Sequence, residues 1–215
     1  MKKYIPIVAI LICSIYLMAM RSISHRTMVS PEENVVLTNY QIGDKVAYFS
    51  LPKSDGSNFD FNSGLNIKGA IIIFTSMHCP FSKAYEDRQI AMHHKYAGLG
   101  YPVIAINPSN PQLHEDDQIA KIKARISSKN YPFNYLIDAD QSIAKRFGPT
   151  RIPTAYVVQK IGNQFIVKYF GMIDDNPQDA NGVSRNYVEE AVSNLLDGKP
   201  VISTTTQPEG CRTRF

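Results

Sequence analysis

The sequence predicts an α/β domain with a mixed central β-sheet flanked by helices. Residues 70–75 (AIIIFT) and 101–106 (YPVIAI) are unbroken apolar, largely β-branched runs, as expected of strands buried on both faces. After each run the apolar residues switch to helical spacing, and alternating strands and helices imply parallel pairing. Residues 154–159 and 165–170 flank Gly162-Asn163, a hairpin that adds antiparallel strands.

Taken in order, residues 46–51 and 58–61 surround Ser54-Asp55-Gly56-Ser57 and read as an N-terminal β-hairpin extension. From residue 80 to 97, Phe81, Tyr85, Met92 and Tyr96 recur at helical spacing, with Pro80 suited to a first turn. Asn107-Pro108 closes the second buried strand. Residues 115–128 read as a helix on Ile119, Ile122 and Ile126. Residues 134–137 form a third strand, followed by Asp138-Ala139-Asp140 and a short helix to Phe147. Residues 184–196 make a last amphipathic helix before Gly198 and Pro200.

Composition narrows the function classes. The chain has 215 residues, 44% of them hydrophobic and 20% charged, which describes a globular chain rather than a disordered one. Its formal charge is +4, but Lys2, Lys3, Arg21 and Arg26 lie in an acid-free stretch at the start. Removing those four from the 23 basic residues leaves 19, equal to the 19 acidic ones. The domain is therefore near neutral, and no basic face for nucleic acid is expected.

Two lysines before an uncharged, mostly apolar run over residues 4–20 form the n-region and h-region of a bacterial-type export leader. As a helix that run would rise roughly 25 Å, a little under the hydrocarbon core of a bilayer. Residues 1–26 are read as an export signal or an uncleaved N-terminal membrane anchor. Cys13 is no lipidation site, because Ile12 before it is too large for a lipobox. Residues 27–42 read as a polar linker, 43–202 as the domain and 203–215 as a tail carrying Cys211. The expected location is the cell envelope, periplasmic or membrane-anchored.

Outside the leader the chain has two cysteines, Cys79 and Cys211. That is too few for a disulfide scaffold, but enough for one bridge or for a nucleophile and its resolving partner. Cys79 ends a buried strand and opens a helix. There the unpaired backbone N–H groups and the positive end of the helix dipole favour the thiolate over the thiol, whose free pKa is near 8.5. His78 beside it can add positive charge. Ser82 follows three residues later, so a local second thiol is absent and resolution must come from Cys211 or an external thiol. His93-His94, His78 and His114 lack the paired short spacing of metal ligands, so no metal and no organic cofactor is expected. Asp174-Asp175 reads as a solvated loop.

His78-Cys79-Pro80-Phe81-Ser82, Asn107-Pro108-Ser109-Asn110, Phe147-Gly148, Ile152-Pro153-Thr154, the stretch from Gly171 to Asn176 and Gly210-Cys211 occur in this order. Together they resemble the thioredoxin superfamily, and within it the peroxiredoxin-like branch of the AhpC/TSA (redoxin) family. The resemblance implies a thioredoxin-like fold, a catalytic Cys79, a cis Pro153 facing it, and Ser76 as hydrogen-bond donor to thiolate and peroxide. It also implies that the Gly-Cys pair near the C-terminus belongs to the pattern. The chain departs from it with Ile72 where the family carries a proline. Near the position of the family's thiolate-stabilising arginine it has Pro153, leaving Arg151 and Arg88 as candidate replacements.

The expected function is thiol-dependent oxidoreduction, foremost reduction of hydroperoxides through Cys79, with an external thiol as reductant. The alternatives are thiol-disulfide exchange in the cell envelope and a redox-inactive thioredoxin-fold binding module.

Overall fold

The computed structural model describes residues 39–62 and 64–213. The expected leader at 1–26, and the linker as far as residue 38, lie outside these residues. Among the described residues no helix is long and apolar enough to cross a membrane.

A six-stranded sheet forms the centre. Its strands are β1 (Lys45–Val46), β4 (Gly69–Phe74), β5 (Val103–Asn107), β6 (Asn134–Ile137), β8 (Thr154–Ile161) and β9 (Gln164–Gly171), in the spatial order β1-β9-β8-β4-β5-β6. β4, β5 and β6 run parallel, whereas β8 lies antiparallel to β4 and continues through a hairpin into β9. The mixed sheet follows from the two kinds of connection read in the sequence.

β4 is buried at every position because both faces of the sheet are covered. Ile71 and Ile73 face one core with Met92, Tyr96, Ile122, Val188 and Val192. These come from helices α2 (Glu86–Tyr96), α3 (Ile119–Lys129) and α5 (Tyr187–Leu196). Ala70, Ile72 and Phe74 face the opposite core with Phe49, Phe61, Ile143 and Phe147. Those side chains belong to a separate antiparallel hairpin, β2 (Phe49–Pro52) with β3 (Asn58–Phe61), and to helix α4 (Ser142–Phe147). Each isoleucine so buried contributes about 1.5–3 kcal/mol relative to exposure.

Four elements depart from their expected bounds by a break or by three or more residues, each for a local reason. The run at 46–51 splits, because Val46 pairs with Phe165 of the central sheet while Phe49 begins the hairpin. The helix expected over 80–97 is α1 (Pro80–Ala84) and α2, with a break at Tyr85. Tyr85 is turned inward there, and its hydroxyl donates to Asp174 at 2.8 Å. The helix expected from 115 begins at Ile119, because Asp117 turns its carboxylate into the protein and Gln118 is extended. The last helix begins at Tyr187, since Ser184 bonds the Asp175 carboxylate through both its amide and its hydroxyl.

The packed domain extends past 43–202 at both ends. Tyr40 sets its ring edge-on to Phe147 at 4.9 Å and donates its amide to the Arg146 carbonyl. In the tail, the Phe170 amide donates to the Thr204 carbonyl at 3.0 Å, and the Thr206 amide returns to the Phe170 carbonyl at 3.2 Å. Thr206 Oγ1 accepts from the Met172 amide at 2.7 Å and lies 2.6 Å from the Tyr169 hydroxyl. The polar tail is thus anchored to the end of β9. It finishes as a two-residue strand, β10 (Cys211–Arg212), antiparallel to β7 (Arg151–Ile152).

Candidate redox site

The loop from β4 to α1 is held from three sides. The Thr75 amide donates to the Ile106 carbonyl, the Ser76 amide to Ser82 Oγ at 3.3 Å, and the Met77 amide to Asp117 at 2.7 Å. Cys79 then takes the N-cap position of α1 with extended backbone angles, and Pro80 fills the first helical turn. Proline is favoured at that position because its missing N–H would have no partner in any case. The helix therefore starts where the strand–Cys–Pro pattern placed it.

Cys79 is joined to Cys211 by a disulfide that spans 132 residues of sequence, with Cα atoms 6.1 Å apart. Cys211 reaches it through β10, whose register sets Cys211 opposite Ile152 and Arg212 opposite Arg151. The Ile152–Pro153 peptide is cis. The Ile152 carbonyl oxygen lies 3.4 Å from Cys79 Sγ, so one residue touches both halves of the bridge. The Thr213 amide adds a bond to the Thr150 carbonyl. Cys79 has no exposed surface in this state, whereas Cys211 is partly exposed.

The other sequence-predicted residues fall in different places. Ser82 is buried, and its hydroxyl accepts the Ser76 amide. The Ser76 hydroxyl is buried with no hydrogen-bond partner among the described residues. Arg151 Nη1 donates to the Gly210 carbonyl at 2.8 Å and so holds the tail. Arg88 donates to both oxygens of Asp174, at 2.8 and 3.0 Å, and to the carbonyls of Ala84, Asn176 and Pro177. Its guanidinium also lies over the Tyr85 ring, 3.7 Å from the centroid. Neither arginine bonds a sulfur, and both are spent on shaping loops. Asp174, expected in solvent, is buried, because Arg88 and Tyr85 supply the charge and the hydrogen bond that burial demands.

His78 pairs through Nδ1 with Asp117. Asp117 is buried and also accepts from Asn107 Nδ2 at 2.8 Å. Burial raises its pKa, but hydrogen bonds from His78, Asn107 and the Met77 amide outweigh that and leave it below the usual carboxylate value. The His114 ring stacks on His78 with centroids 3.7 Å apart. His93 accepts the Val103 amide, and burial lowers its pKa. Among the described residues no three His, Cys, Asp or Glu side chains converge to hold a metal ion.

Sequence reasoning did not single out Asp117 as part of the site, and it reached Ile152 and Gly210 only as members of motifs, with no role of their own. For Asp117 a signal existed: it stands in a run of acids, Glu115-Asp116-Asp117, where a helix was expected and a capping turn formed instead. Ile152 and Gly210 matter through their backbones, which side-chain chemistry does not advertise.

A model of the AhpC/TSA family matches residues 42–168, more than half of the chain. The chain belongs to the AhpC/TSA family. No curated protein is similar enough in sequence to count as a match. Among solved structures, a hypothetical protein of Sinorhizobium meliloti 1021 is 28% identical with a TM-score of 0.71, covering 81% of this chain and 94% of that one. An uncharacterized conserved protein of Geobacillus kaustophilus is 25% identical at the same TM-score, covering 82% and 93%. The C-terminal domain of a candidate thiol-disulfide oxidoreductase of Bacteroides thetaiotaomicron shares the fold alone, at 14% identity and a TM-score of 0.53, over 74% and 97%. The fold is thioredoxin-like, and the chemistry of this AhpC/TSA member is thiol-based redox chemistry.

Proposed function

We propose that this AhpC/TSA protein is a thiol peroxidase in which Cys79 is the attacking thiol and Cys211 the resolving one. The observation that carries the reading is the Cys79–Cys211 disulfide, formed between a helix N-cap and a strand laid across the Ile152–Pro153 loop. It is the bond such a cycle would leave behind. In the reduced protein the Cys79 thiolate attacks the distal oxygen of a hydroperoxide. The O–O bond breaks, Cys79 becomes a sulfenic acid, and the alkoxide takes a proton and leaves as the alcohol. The Cys211 thiolate then attacks the Cys79 sulfur, water departs and the disulfide closes. Two electrons, from two external thiol groups that become a disulfide, restore both cysteines.

Cys79 is covered while joined to Cys211. Reduction frees the strand that carries Cys211, and with it the part of the cover that a peroxide must pass. The thiolate is then favoured by the free amides of the first turn of α1.

The test is dimedone trapping after a peroxide pulse on pre-reduced protein. An adduct on Cys79 is expected, stronger in Cys211→Ser, where the sulfenic acid is not resolved, and absent in Cys79→Ser. Failure of Cys211→Ser to accumulate any adduct rejects peroxide reduction. One observation favours a second reading, thiol-disulfide exchange: Arg88 and Arg151 are both committed to carbonyls or to Asp174. Under that reading reduced protein transfers its electrons to a disulfide substrate and leaves peroxide untouched.

We place the protein in the cell envelope on the strength of the leader at residues 1–26. Membrane fractionation and N-terminal sequencing of the mature chain test that placement.

A further inference from the structure

A cavity of about 360 Å³ lies against residues that adjoin the disulfide, with no Asp or Glu among the described residues that line it. Its walls include the chain neighbours of both cysteines, His78 before Cys79 and Arg212 after Cys211, together with Ile152, which touches both. Arg212 is exposed, and its guanidinium makes no ion pair or hydrogen bond among the described residues. His114 also lines the cavity, stacked on His78. The three acids that follow His114 in sequence are each paired with a cation. Asp117 holds His78, Asp116 holds Lys83 at 2.9 Å, and Glu115 is 3.5 Å from Lys121. Ser109, Asn110 and Thr213 add polar groups, while Leu113 and Ile152 give an apolar side. The site has one uncommitted positive charge, hydrogen-bonding groups and room for a small molecule only.

Arg212 and Thr213 belong to the strand that the disulfide pins in place. The cavity is therefore a feature of the oxidised protein, and a ligand specific to that state is the molecule that reduces it. We infer that this cavity admits a low-molecular-weight thiol bearing a carboxylate, and that this thiol is the protein's reductant. The inference deepens the function proposed above, and it rests on the Cys79–Cys211 couple cycling rather than on which oxidant closes it.

The chemistry follows from exposure. The carboxylate sits at Arg212 and the thiolate attacks Cys211 Sγ, the sulfur of the partly exposed cysteine, rather than that of the fully buried Cys79. The Cys79–Cys211 bond breaks, Cys79 leaves as the thiolate its helix favours, and Cys211 carries the mixed disulfide. A second thiolate attacks the sulfur of the bound molecule, so a small-molecule disulfide departs and Cys211 is released as thiolate. Two thiols are oxidised, one disulfide is reduced and the electrons balance.

The experiment uses the oxidised full chain at pH 7 and three probes: 3-mercaptopropionate, 2-mercaptoethanol and cysteamine. Each rate of disulfide opening, read by alkylation and mass, is divided by the same thiol's rate on a small uncharged disulfide in solution. The anionic thiol is expected to exceed the cationic one by roughly tenfold after this correction, with saturation and with loss of the preference at high salt. Arg212→Glu should invert the order, and since β10 pairs through its backbone the strand survives the change. Equal corrected rates, an order unchanged in Arg212→Glu, or reduction by a dithiol protein alone would overturn the inference. Peroxide consumption by pre-reduced protein is measured in parallel. Its loss with the charge order intact counts against the peroxidase reading and leaves the cavity's assignment standing.

Discussion

Gly210 lies with its Cα pressed against the Ile152 carbonyl, and a β-carbon built there would stand 2.0 Å from that oxygen. Its φ of 147° is also one that L-residues rarely adopt. Both facts place glycine immediately before Cys211, because the tail must approach the Ile152–Pro153 loop closely for the sulfur to reach Cys79.

Gly210→Ala should accordingly loosen β10 from β7 while leaving the central sheet intact. Strain of about 1–3 kcal/mol is expected. It appears as a disulfide that opens at lower dithiothreitol, by roughly tenfold in the exchange constant for each 1.4 kcal/mol. A redox titration with alkylation readout measures this. An unchanged midpoint would show that the close approach is not needed.

Reduction should release only the last part of the tail. Thr206 is held independently by Met172 and Phe170, so residues 204–206 stay protected from hydrogen exchange while 207–213 and 151–152 become labile. The lost cross-link should lower stability by about 2–4 kcal/mol, seen equally in Cys211→Ser. Exchange followed by mass spectrometry decides whether the anchor at Thr206 holds.

Asp174→Ala should be severely destabilising, by about 3–5 kcal/mol in urea unfolding, since it strands the Arg88 guanidinium without its counter-charge. Asp175→Ala removes only an exposed tie to Ser184 and should cost less than about 1 kcal/mol. Equal losses in the two variants would refute the assignment of Asp174 as the buried member of the pair.

Asp117 has a pKa held below its ordinary 3.8, with burial opposed by stronger hydrogen bonds from His78, Asn107 and Met77. A depressed carboxylate binds protons more weakly when folded, so its stabilisation is full above 3.8 and is lost as pH falls through the folded value. Asp117→Asn should therefore be less stable than wild type at pH 7, with the gap narrowing towards pH 2–3. Urea unfolding across that range gives the slope, and a gap that widens in acid would reverse the sign argued here.

Much of the fold is legible in the amino-acid sequence. The runs at 70–75 and 101–106 became β4 and β5, because a strand covered on both faces leaves no polar position to blur its pattern. The turn at Ser54-Asp55-Gly56-Ser57 and the one at Gly162-Asn163 each joined the strands expected of them. Helix starts were less legible. Gln118 and Tyr85 interrupt helical patterns because distant side chains, His78 and Asp174, take up Asp117 and Tyr85.

At the site, sequence alone set Cys79 at the head of a helix after a buried strand, since strand period, Pro80 and helix period are all local signals. The bond to Cys211, the burial of Asp174 and the commitment of Arg88 and Arg151 came only with the tertiary structure. Each depends on the approach of segments that a chain's local preferences do not position. The residue ordering that approach is Gly210, whose contribution is an absent side chain.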